Sequence, residues 1–210
     1  MDPRKLIVIT VGIGLMLAGC SGSTSSDFPK PSETPSQSDS ADSGEDVSKA
    51  PAGVSRTYLE GSSKGPAKNV PKPELPADAK EFTEASASSF VEYYFELLNY
   101  AIETNEVAEV KRLSSKECEL CDKSIINEAE AAQKSGEWQV GGEHHPKILD
   151  SHISGKNVAI VTVEYTADSA KVYSAPGKLQ EELDKIDPNR LAFDLEYDEG
   201  WRVYKILGAN

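Results

Sequence analysis

The sequence is poor in the residues from which most reactive sites are built. It holds three histidines and three cysteines in 210 residues. A structural zinc site takes four closely spaced nitrogen or sulfur ligands. Here only Cys118 and Cys121 are close together, and His144, His145 and His152 follow in no diagnostic spacing. No resident metal and no cofactor is expected. A nucleophile elbow, a phosphate-cradling glycine loop and a histidine-rich metal motif are all missing. Basic charge is scarce too, with 22 Lys and Arg against 35 Asp and Glu. An acidic chain repels phosphate backbones and offers no polybasic patch to anionic lipid, which argues against nucleic acid as a partner. Long apolar runs are also lacking. The uncharged run at residues 6–16 falls short of the roughly 20 residues a permanent membrane helix needs.

That short run has the marks of an export signal. Arg4 and Lys5 precede it, and the small residues Ala18 and Gly19 follow. Leu17-Ala18-Gly19-Cys20 then resembles a bacterial lipobox, in which the peptidase reads the small residues and the Cys20 thiol takes a diacylglycerol before cleavage at its amine. The expectation is a signal peptide over residues 1–19 and a lipid on Cys20. Each buried CH₂ contributes about 0.8 kcal/mol, so two or three acyl chains hold a protein where one does not. The expected location is extracytoplasmic, on the outer face of the plasma membrane. Without Asp2, Arg4 and Lys5 the mature chain has 20 basic against 34 acidic residues, a net charge of −14. Lipid, not charge, is then the anchor.

Residues 20–79 read as the lipidated cysteine followed by a disordered linker. They are rich in Ser, Pro, Gly, Lys and acidic residues, and their large apolar side chains are few: Phe28, Val47, Val54, Tyr58, Leu59, Val70 and Leu75. Such a stretch buries too little surface to offset its ordering entropy. Prolines at 29, 31, 71 and 73 favour local extended segments. A flexible chain of about 60 residues spans roughly 40–45 Å, a reach suited to holding a domain above a membrane. Tyr58-Leu59 is the one place where a short binding motif is expected, if there is one.

Residues 80–210 are long enough for one core. Phe90, Val91, Tyr94, Phe95, Leu98, Ala101 and Ile102 recur at spacings of three and four and predict a helix over 83–104. Asn105 is placed to cap a short helix over 106–113. Ser114 or Ser115 is placed to cap a third helix over 117–134, which Gly136 stops. Strands are predicted at 137–140, 147–154, 157–166, 191–197 and 201–207, with 171–175 as a further candidate. His144-His145 falls in the loop between the first two. Leu179, Leu183 and Ile186 have helical spacing, which leaves 179–186 between a helix and a decorated loop. Helices first and antiparallel strands after are an α+β pattern: three N-terminal helices packed on a curved antiparallel sheet.

The helix bearing Phe90-Val91-x-Tyr93-Tyr94, the two helices after it and the final Gly200-Trp201-Arg202-Val203 strand resemble the cone-shaped fold of the nuclear transport factor 2 superfamily. More narrowly, Phe90-x-x-Tyr93-x-x-x-Leu97-x-Asn99-Tyr100-Ala101, Leu113-Ser114-Ser115 and Cys118-x-x-Cys121 resemble an uncharacterised domain family of actinobacterial lipoproteins. The second resemblance brings no activity with it. The first spans isomerases, dehydratases and non-catalytic modules, so it leaves the function open.

Cys118 and Cys121 are expected to form a disulfide, as closely spaced thiols outside the membrane generally do. A redox pair is the sharper alternative, but the neighbouring Glu117, Glu119 and Asp122 raise a thiol pKa rather than lower it. A cavity, if present, is expected to draw on Tyr93, Tyr94, Trp138, His152 and Tyr165. Asp150, Glu164 and Asp194 are further acid–base candidates. Adjacent residues of an extended chain face opposite ways, so at most one of His144 and His145 can enter such a cavity. The expected role is a non-catalytic module that binds a small ligand, an envelope protein or a cell-wall component. The alternatives are a cone-fold enzyme with a buried acid and base, and a thiol–disulfide protein using Cys118 and Cys121.

Overall fold

The computed structural model describes residues 57–209. The signal segment, the peptidase motif Leu17-Ala18-Gly19 and Cys20 lie outside the described residues. No helix among the described residues is long and apolar enough to cross a membrane.

Helix α1 (Glu84–Thr104) starts where Thr83 accepts the Ser86 amide on its hydroxyl at 3.1 Å. It stops at Asn105, which is left-handed at φ 59° and returns its own amide to the Ala101 carbonyl. Asn105 is thus the C-cap of α1 and not the expected N-cap of the next helix. That helix, α2 (Ala108–Leu113), follows Val107 and has no side-chain cap. The third predicted helix is not regular. α3 (Glu119–Cys121) passes through a π-helical turn (Asp122–Ile126) into α4 (Asn127–Ser135), with helical backbone at both joins. Its start is capped by the Cys118 sulfur, which accepts the Cys121 amide, and not by Ser114 or Ser115. Ser114 is drawn away because its hydroxyl bonds the Val110 carbonyl and Tyr94.

The strands form two antiparallel sheets rather than one meander. β2 (His144–Ile153), β3 (Val158–Ala167), β6 (Ile186–Tyr197) and β7 (Trp201–Gly208) pair in the order β2-β3-β6-β7. β1 (Trp138–Gly141), β4 (Ala170–Ala175) and β5 (Lys178–Leu183) pair in the order β1-β4-β5. Gly141 carries φ 78°, and a side chain there would meet the Ser169 carbonyl at 2.6 Å. The Gly141-Gly142 break therefore lets β1 leave for β4 while the chain turns into β2. Residues 179–183 are strand, because pairing with β4 overrides the helical spacing of Leu179 and Leu183. β2 begins three residues before the predicted start. His144 and His145 pair with Ala167 and Thr166, so they are strand and not loop. Register shifts at Ile148/Asp150, Tyr165/Ala167 and Asp194/Leu195 bend the four-stranded sheet.

The N-terminal half of α1 lies over the inner face of that sheet. β3 alternates buried and half-buried residues along its whole length, with Ala159, Val161 and Val163 inward. Phe193 packs against Tyr94 and Phe95, with ring centroids 6.1 and 5.6 Å apart. Phe90, Val91, Leu195 and Val203 complete a core with almost no exposure.

Residues 57–79, expected to belong to the linker, are held against the body. Leu59 and Lys68 exchange backbone hydrogen bonds, and Ser62 and Gly65 close the turn between them. The Trp138 indole donates to the Ser62 carbonyl at 2.8 Å, and the Gly177 amide donates to that of Ser63. Tyr58 donates to Glu103. Residues 57–70 dock largely through polar bonds, which a count of apolar residues does not register, whereas Leu75 and Ala79 join the apolar core. Trp201 likewise donates to the Glu81 carbonyl, and Tyr197 to that of Lys80.

Candidate functional site

The C-terminal half of α1 meets the four-stranded sheet at its edge, where Asn99 bonds His144 of β2. Leu98 and Ile102 continue the apolar stripe but are only half-buried. They face Leu120, Ile125 and Ala129 of the third helical segment across a cavity of about 80 Å³. Phe95, Phe193 and Ile206 form the floor on the core side, and Trp138 and Val172 of the small sheet close another wall. The π-helical turn contributes Ser124 and Ile125 to this lining. Such turns recur at functional sites because they displace one turn of helix from its regular face.

One imidazole enters the cavity. His144 stacks on Tyr165 with the rings 5.7 Å apart and 7° from parallel. Its backbone is held from α1 by the Asn99 amide, which donates to the His144 carbonyl at 2.9 Å and accepts the His144 N–H at 2.8 Å. Asn99 thus replaces a strand partner at the free edge of β2. The His144 Nδ1 is buried and has no hydrogen-bond partner. Burial, with a smaller contribution from His145, pushes this imidazole down to about 4, so it is neutral at pH 7. A buried polar atom without a partner costs about 1–3 kcal/mol, which a hydrogen-bonding ligand can recover. Glu128 also lines the cavity, and desolvation raises its pKa.

A second, open hollow of about 420 Å³ adjoins the first and shares Asn105, Glu137 and Trp138 with it. Its walls include Tyr100, Glu103 and Glu106, with Pro66, Ala67, Asn69 and Val70 of the docked stretch. Each of its carboxylates accepts one hydroxyl bond: Glu103 from Tyr58, Glu106 from Tyr100 and Glu137 from Ser135.

Of the residues proposed from sequence, Trp138 and Tyr165 line the cavity. Tyr93, Tyr94 and His152 do not. Tyr94 is sealed in the core with its hydroxyl on Ser114 and its pKa pushed up to about 12 by burial. Tyr93 is buried on α1 outside the cavity lining. His152 sits half-exposed beside Asp150 on the edge strand. Glu164 lies 3.9 Å from Lys147 and 3.8 Å from Arg190, and neither it nor Asp194 reaches the cavity. His145 points away from His144 and bonds Asp168 at 3.1 Å, with Glu143 close by, all three exposed. Cys118 and Cys121 form a disulfide, and both are buried. Asn99 was visible only as a position in the family-like motif. Nothing in its local sequence reveals that it clamps a residue 45 positions away.

Residues 56–206 match a protein-family model described as "Family of unknown function (DUF6318)". No curated protein matches the chain. Among solved structures, the crystal structure of the intermembrane space region of chloroplast protein ARC6 is similar at 10% sequence identity and a TM-score of 0.44. The likeness covers 61% of this chain and 99% of that one.

Proposed function

The chain belongs to DUF6318, a family of unknown function, and on that premise we propose that its folded part is a non-catalytic binding module for a small apolar ligand, held outside the plasma membrane by lipid on Cys20. The observation that carries the binding role is the cavity beneath Leu98 and Ile102, where an apolar helix face remains uncovered. Binding sites are concave and mostly apolar, with a few placed polar groups, and here His144 and Tyr165 are those groups. The bent sheet with α1 across it supports the reading of the domain as a cone similar to that of the nuclear transport factor 2 superfamily. The address rests on the lipobox-like Leu17-Ala18-Gly19-Cys20, and the disulfide is in keeping with an oxidising compartment.

The two alternatives are less well supported. A general base works best with a pKa near the operating pH, whereas His144 lies near 4 and no carboxylate orients its ring. Thiol–disulfide exchange needs a sulfur open to in-line attack, and both cysteines are buried.

Titration with 1-octanol, followed by Trp138 fluorescence, tests the binding role. Saturable binding that Ala129→Phe abolishes is the expected result, and its absence from the unmodified protein would refute the reading. For the address, Cys20→Ala is expected to appear in the medium or as an unprocessed precursor. A processed variant that stays on the membrane would show that lipid is not the anchor.

A further inference from the structure

The strand alternation that turns His144 inward sets the residues on either side of it outward. Glu143 and His145 are two positions apart on an extended chain, so their side chains leave on the same face. The Asp168 amide donates to the Glu143 carbonyl at 2.9 Å, which continues the His144–Ala167 register of β2 and β3 by one step. Asp168 is therefore the cross-strand neighbour of Glu143 and lies diagonal to His145. The His145 Nε2 is 3.1 Å from the Asp168 Oδ2. One donor atom from each of Glu143, His145 and Asp168 lies within 4.8 Å of the other two, and all three residues are exposed. None of them lines the cavity or the hollow.

The chain carries 35 acidic residues and three histidines, yet among the described residues three such donors converge at this one place. Spacing along the sequence does not reveal it, because Asp168 lies 23 positions beyond His145. The imidazole is what separates this group from a patch of acids. Carboxylates alone hold hard cations such as calcium, whereas an imidazole nitrogen suits zinc and its neighbours in the first transition row. A metal-bound imidazole is neutral. The two carboxylates then supply two negative charges, equal and opposite to the charge of a divalent ion. Zinc holds nitrogen and oxygen ligands at about 2.0–2.2 Å in a tetrahedron, which sets its donors roughly 3.4 Å apart. The donors here are 3.1 Å apart along one edge and at most 4.8 Å along the others, so small rotations of exposed side chains reach that geometry.

We propose that Glu143, His145 and Asp168 form a zinc-binding site on the surface of the domain, with water completing the tetrahedron. The ion ties the start of β2 to the segment that leaves β3 for β4, where the chain passes from the four-stranded sheet to the three-stranded one.

Zinc is titrated into the untagged full chain at pH 7 against a chromophoric zinc chelator. One zinc per chain is expected to bind at micromolar concentration. His145→Asn and Asp168→Asn are each expected to weaken binding by at least the roughly 10–100-fold that loss of an outer-shell partner costs a metal site. His152→Asn alters another exposed imidazole beside a carboxylate and is expected to leave binding unchanged. Calcium in large excess is expected not to displace the zinc. Proton NMR of the unmodified protein supplies a check that needs no variant: zinc shifts the His145 ring signals and leaves those of His152 in place. Zinc binding that survives His145→Asn, or that calcium displaces at equal concentration, overturns the proposal, because surface acids alone then hold the ion. Absence of binding at millimolar zinc overturns it as well.

Discussion

The two ends of α1 carry the same apolar stripe and meet different surroundings. At the N-terminal end, Phe90, Val91 and Tyr94 lie in one buried core with Phe193, Leu195 and Val203. At the C-terminal end, Leu98 and Ile102 face a helix displaced by a π-helical turn, and a cavity remains between them. Periodicity is the same in both halves, so it does not separate a surface that stabilises from one that binds. The shape of the partner element makes that difference.

The comparison can be broken by mutation. Phe90→Ala removes a fully packed ring and is expected to cost about 3–5 kcal/mol in urea unfolding. Replacing both Cys118 and Cys121 by Ser opens a loop of a few residues and is expected to cost about 2 kcal/mol. It should also loosen Leu120, which walls the cavity, so octanol affinity should fall with it. A fully unfolded double variant would show that the bridge holds far more than one helix start. Leu98→Ala faces space already empty and is expected to cost about 1 kcal/mol or less, below the usual range for a packed core leucine. A loss equal to that of Phe90→Ala would mean that the cavity end is as tightly packed as the core.

The last effect is one of pH. The folded His144 pKa is lowered from 6.5 to about 4, so between those values the unfolded chain binds more protons than the folded one. Stability therefore rises with pH across that window and is lost as pH falls from 6.5 towards 4. His144→Gln should flatten this slope in acid unfolding. An unchanged slope would mean that the imidazole is as well hydrated folded as unfolded.

Much of the backbone was legible. α1 and β3 follow from spacing alone, because each has a long run in a single period. Misreadings gather where a distant partner decides. Leu179 and Leu183 have helical spacing and lie in a strand because β4 lies beside them. Residues 57–70 carry few apolar side chains and dock through Ser62 and Ser63, whose carbonyls meet Trp138 and Gly177. The candidate site was legible only in part. Trp138 and Tyr165 were singled out, but an exposed His152 and a sealed Tyr94 were weighed equally with them, since residue type does not reveal which wall of a domain a side chain reaches.

By itself the amino-acid order determined the α+β class, the first helix and its apolar stripe, and the acidic balance that sets which partners are repelled. These depend on neighbours within a few positions or on a sum over the chain. Tertiary structure alone decided that the stripe would be covered at one end and open at the other. It also brought Asn99 to His144, 45 positions away. Those outcomes depend on contacts between residues far apart in the chain, which local periodicity does not encode.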